Sequence, residues 1–141
     1  MKFQALKKSG VVGSVGIFVK CGSAYENEKE RGLSHFVEHM VFKGTKRRSY
    51  FDIAKEIDVL GGTINAFTSK EYTCFYVKVL NDYIEKAWDV LVDIVVNPTL
   101  NESELEKEKG VIIEEINSSN DDPQSAVFDA FFESAIPTSV G

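Results

Sequence analysis

The sequence predicts an α+β protein, an antiparallel sheet with helices packed on it. Two observations predict it. Residues 11–22 (VVGSVGIFVKCG), 63–67 (TINAF) and 71–80 (EYTCFYVKVL) are rich in β-branched and aromatic residues, and only Thr68, Ser69 and Lys70 separate the last two. The remaining segments have helical length and carry capping residues at their starts. Strands joined by a hairpin-length link, with helices before and after them, bury their apolar faces best as helices laid on an antiparallel sheet.

In chain order, residues 11–22 read as a strand with glycines near both ends, and the polar run 23–31 (SAYENEKER) as a loop. Gly32 opens a helix to about Phe42, which Gly44 ends. That helix carries Leu33, Phe36, Val37, Met40, Val41 and Phe42 around most of its circumference, which predicts burial on several sides. Ser49 with Asp52 has the form of a capping box for a helix to Leu60, and Gly61 and Gly62 supply its stop. After the hairpin, Asn81 or Asp82 caps a helix over 83–96, broken by Asn97-Pro98. Asn101 with Glu104 caps a long helix to about Asn117. Residues 118–123 (SSNDDP) read as a turn, 124–135 as a last helix, and 136–141 have no clear pattern. There is no internal repeat and no low-complexity segment.

A length of 141 residues suits one domain with a real core, and 43% hydrophobic with 27% charged residues is ordinary for a globular protein. The net charge of −6 argues against nucleic acid or an anionic membrane as a main partner. The basic cluster at 43–48 (KGTKRR) reads as a solvated loop. Cys21 and Cys74 lie in strand-like runs and read as small core residues, not a disulfide framework. The first ten residues do not resemble a signal peptide and no apolar run has transmembrane length, so a cytoplasmic location is the default expectation.

The chemistry concentrates in His35-Phe36-Val37-Glu38-His39, a His-x-x-Glu-His motif. Residues four apart share a helix face, so His35 and His39, the chain's two histidines, can grip one metal ion. Glu38 borders that face, where a general base acting on a metal-bound water belongs. Packed inside an apolar helix, these groups need partners, and a divalent metal meets that need. A catalytic zinc takes three protein ligands and keeps one position open, so a third ligand comes from elsewhere. The helix that begins at Glu102 is the best donor. Its Glu108 and Glu115 are seven residues apart, two turns on one face, with Val111 and Ile112 between them in projection, and Glu114 is turned about 100° away. Spacing alone leaves open whether this stripe faces inward or is a solvated surface.

Three blocks, 22–45 (GSAYENEKERGLSHFVEHMVFKGT), 61–80 (GGTINAFTSKEYTCFYVKVL) and 104–116 (ELEKEKGVIIEEI), closely resemble the pitrilysin/insulinase family of zinc peptidases, the inverzincins. In detail they resemble bacterial processing proteases and the mitochondrial processing peptidase β subunit. The resemblance implies the family's αβ sandwich and one Zn2+ per chain, held by His35, His39 and the distal ligand Glu115. It implies that Glu38 is the base that activates water and Glu108 a second acid supporting catalysis. Asn65 and Ala66 match the strand to which extended substrate adds. The implied function is a zinc-dependent endopeptidase acting on extended peptide or presequence-like substrates. The alternative is a non-catalytic family member that holds substrate or serves as a partner subunit.

The chain departs from the family pattern before Val11 and after Phe132. The expectation is therefore that residues 1–141 are a partial N-terminal zinc-binding domain, inactive or weakly active alone. Its implied partners, besides a peptide or protein substrate, are the family's C-terminal half, another subunit, or a second copy in a homo-oligomer.

Overall fold

The computed structural model describes residues 10–120 together with Val127 and Phe131. Strands β1 (Val12–Val19), β2 (Thr63–Thr68) and β3 (Thr73–Leu80) form an antiparallel sheet in the order β1-β3-β2. The register pairs Val15 and Ile64 with Val77, and Ile17 and Ala66 with Phe75, so these side chains share one face. Helices α1 (Leu33–Val41), α2 (Tyr50–Val59) and α3 (Ile84–Val96) contribute Val41, Ile53, Ile57, Ala87, Val90, Leu91 and Ile94 to the core over that face. Helix α4 (Glu102–Asn120) packs on α1. The α+β class predicted from the sequence is the class observed.

The element ends follow local chemistry. Strand β1 stops at Val19, short of the predicted Gly22, because the Cys21 amide turns back to the Val19 carbonyl at 2.8 Å. Cys21 is therefore exposed beyond the strand end, and only Cys74 is the buried residue expected of both. The β2–β3 turn closes through Ser69, whose amide donates to the Tyr72 carbonyl at 2.8 Å, so β3 begins at Thr73. The Ser49–Asp52 capping box is present, and Gly61 leaves α2 at a positive φ of 64°.

The predicted cap of α3 is absent. Residues 81–83 form a 3₁₀ turn, Tyr83 occupies the cap position, and the Asn81 side-chain amide donates to the Gly10 carbonyl at 2.6 Å instead. Asn101 does cap α4, accepting from the Ser103 amide at 3.0 Å. The helix continues to Asn120, so residues 118–120 are helical where a turn was predicted. Val127 and Phe131 are helical, within the predicted helix 124–135. Its other residues, residues 121–123 and the tail 136–141 lie outside the described residues.

Two other expectations are corrected. Helix α1 is covered on fewer sides than its apolar girth predicts: Met40 and Val41 are buried, but Leu33 and Val37 are 49% and 41% exposed. The sides of α1 facing the sheet, α4 and the loop before it are covered. The basic cluster is not a solvated loop. Arg48 is 8% exposed and bonds Glu56 of α2 and Asp89 and Asp93 of α3, while Arg47 makes a two-pronged pair with Asp89. No helix among the described residues is long and apolar enough to cross a membrane.

Candidate metal centre

Helix α1 is anchored before it presents any chemistry. Gly32 at its start has no side chain to cap it, and Glu26 supplies the cap, its two oxygens accepting from the Gly32 and Ser34 amides at 2.7 Å each. Burial alone pushes the Glu26 carboxyl up, but these bonds lower it below its ordinary value. The loop carrying Glu26 is itself tied to the hairpin turn, with the Ala24 amide on the Lys70 carbonyl at 2.8 Å. Gly22 permits this approach, since a Cβ there would collide with the Ser69 and Lys70 carbonyls.

One turn apart on α1, the Nε2 atoms of His35 and His39 lie 3.1 Å from each other. Glu115 of α4 places Oε2 3.8 Å from the first and 3.6 Å from the second. Each of the three residues offers a donor atom within 4.8 Å of the others. Two ligands of a tetrahedral zinc at roughly 2.0–2.1 Å stand about 3.4 Å apart, so the observed separations suit one shared ion. Glu114 is not part of this group.

Glu108 plays a different part from Glu115. It is 5% exposed, and its Oε1 lies 2.9 Å from Nδ1 of His39. A carboxylate there accepts the Nδ1 proton, which leaves the Nε2 lone pair aimed at the cluster, the arrangement found behind metal-ligating histidines. The other oxygen of Glu108 pairs with Lys43. Burial pushes the Glu108 carboxyl up, but Lys43 and His39 outweigh it and hold the group below its ordinary value. Glu108 therefore stands ionised and satisfied although it is nearly enclosed. Of the stripe whose orientation spacing left open, Glu108 and Ile112 are buried, while the Glu115 side chain is 49% exposed and Val111 is 43% exposed.

Glu38 lies outside the three-residue group. Its Oε2 accepts from the hydroxyl of Thr68 at the end of β2, and the Thr73 hydroxyl is 3.3 Å from that of Thr68. Asn65 and Ala66 occupy the middle of β2, which pairs only with β3 among the described residues, and the Asn65 side-chain oxygen accepts from the Ala66 amide at 2.8 Å. A cavity of about 630 Å³ is an open cleft between α2 and α3, away from these groups.

Sequence reasoning missed Glu26, Lys43, Thr68 and Thr73. Lys43 had a signal, since it follows His39 by one helical turn. The others depend on loop and strand register and had none.

Fold and site together define a class: α+β proteins whose inverted His-x-x-Glu-His helix brings its two histidines to a carboxylate from a second helix. Within that class the chain belongs to the insulinase family, peptidase family M16, whose family model matches residues 5–139. It is 47% identical over 116 residues to the uncharacterized zinc protease YmxG of Bacillus subtilis, covering 82% of this chain and 28% of that protein. It is 44% identical over 126 residues to the β subunit of the rat mitochondrial-processing peptidase, covering 89% of this chain and 26% of that subunit. An uncharacterized zinc protease of Rickettsia felis is 43% identical over 121 residues, covering 86% of this chain and 29% of that protein. The chain thus spans between a quarter and a third of the length of these relatives.

Proposed function

We propose that this chain is the metal-binding part of a zinc-dependent endopeptidase that hydrolyses extended peptide or presequence-like substrates. The supporting observation is the convergence of His35, His39 and Glu115, with the far nitrogen of His39 held by the buried Glu108. His35 and His39 through Nε2, and Glu115 through a carboxylate oxygen, would hold one Zn2+. Bound there, zinc supplies a Lewis acid that polarises a carbonyl and brings the pKa of a water to about 7.

The chain's own groups do the rest. Glu38 takes a proton from the attacking water and passes it to the leaving amine. Glu108 fixes the tautomer and direction of His39. The substrate lies extended along β2, adding a strand beside Asn65 and Ala66, so that main-chain hydrogen bonds give affinity and side-chain pockets give preference. Residues 1–141 act as a partial N-terminal zinc-binding domain, completed by a further half or by another subunit, as the name of the mitochondrial relative suggests.

The test is Glu38→Gln in the full-length protein. It keeps zinc and loses peptide cleavage by about 10²–10⁴-fold, the span a general base contributes. Cleavage at the normal rate by this variant overturns the assignment.

A further inference from the structure

We propose that Thr68 is a positioning residue that dedicates one oxygen of Glu38 to structure and leaves the other to take the proton. The inference rests on the reading of Glu38 as the base. Thr68 ends β2 and Thr73 begins β3, and the two are register partners. Thr73 is 5% exposed and its hydroxyl donates to the Cys21 carbonyl at 2.8 Å. A hydroxyl has one proton to give. With that proton committed, Thr73 cannot donate to Thr68, although their oxygens are 3.3 Å apart. Thr68 gives its one proton to Oε2 of Glu38, so neither hydroxyl donates to the other.

The consequence for the base is specific. Oε2 already accepts from Thr68, so Oε1, with both lone pairs open to the water, is the better acceptor for its proton. As the water O–H bond breaks, the new O–H bond forms at Oε1. Oε2 becomes the carbonyl oxygen of the neutral acid and still accepts from Thr68. When Oε1 gives the proton to the leaving amine nitrogen as the C–N bond breaks, the carboxylate is restored with the same partner. The Thr68 bond holds throughout, so the carboxyl does not need to be realigned between the two transfers. It also locks the metal helix to the end of the strand proposed to carry substrate, which fixes the base relative to the scissile bond. A Thr–Thr pair that merely closed a hairpin would need no carboxylate partner from α1.

Three variants test this in the full-length, zinc-loaded protein: Thr68→Val, which keeps the shape and removes the hydroxyl, Thr68→Ser, which keeps the hydroxyl, and Glu38→Gln as reference. The expected result for Thr68→Val is a kcat lowered about 10–100-fold, the scale of an ångström-size misplacement. Its KM stays within about twofold of wild type, and its zinc content and thermal midpoint are unchanged. Thr68→Ser restores kcat, and Thr68→Val placed on Glu38→Gln lowers the residual rate no further. If Thr68→Val does not fold, Thr68→Ala is compared with Thr68→Ser in the same way. Wild-type kcat without the hydroxyl, an effect on KM alone, or an equal loss in Thr68→Ser overturns the proposal. Full activity of Glu38→Gln overturns instead the reading on which it rests.

Discussion

His35 and His39 face each other with their Nε2 atoms 3.1 Å apart, and Nδ1 of His39 is already committed to Glu108 at 2.9 Å. Two ring nitrogens that both presented lone pairs at this separation would repel. Something positive belongs between them, either a proton on one ring or a cation shared by both. Glu115, whose Oε2 lies within 3.8 Å of both nitrogens, adds a negative group that attracts either one.

The hold of Glu108 on His39 carries a prediction for metal affinity. Glu108→Gln weakens zinc binding by about 10–100-fold, the usual effect of removing the group behind a ligating histidine. Competition with a chromophoric chelator measures it. Unchanged affinity would mean that His39 needs no such support.

The cap supplied by Glu26 is testable through folding. Glu26→Ala leaves the Gly32 and Ser34 amides without their acceptors and costs about 1 kcal/mol of stability, read from a denaturant midpoint. Glu26→Gln retains acceptor oxygen and loses less.

Asp93 is 1% exposed and bonds Thr45, Arg48 and Asn97. Asp93→Ala leaves Arg48 paired with Glu56 and Asp89 but takes away its most buried partner and the acceptor of Thr45 and Asn97, at a cost of about 1–3 kcal/mol. A loss below about 1 kcal/mol would mean that water reaches Arg48 freely.

The same residues set an acid limit. Burial pushes the Asp93 carboxyl up, but Thr45, Arg48 and Asn97 together bring it below its ordinary 3.8. The Arg47 and Arg48 bonds lower Asp89 likewise. A carboxyl depressed on folding adds stability that is fully present above its unfolded value. That stability is lost as pH falls through the lower folded value. Unfolding free energy is therefore flat in this contribution above about pH 5 and declines below about pH 4, more steeply in wild type than in Asp89→Asn.

Much of this was legible in the sequence because it is periodic. The strands alternate, and the two histidines sit one helical turn apart. The division of labour between Glu108 and Glu115 was not legible from spacing, since two turns put both on one face. Only the approach of α4 to α1 sends Glu108 to the far nitrogen of His39 and Glu115 to the near one. The basic cluster misled because a charge run looks solvated until its acids are located. Its signal lay in Asp89 and Asp93, one helical turn apart on α3, which converge on Arg48. Val37 misled in the opposite sense, for an apolar residue does not say what covers it.

Zinc content of the chain prepared without chelator tests the central claim most directly, compared among wild type, Glu115→Ala and Glu114→Ala. The account predicts one zinc per chain in wild type and in Glu114→Ala, and well below one in Glu115→Ala. Full zinc occupancy in Glu115→Ala, or none in a folded wild type supplied with zinc, would contradict it.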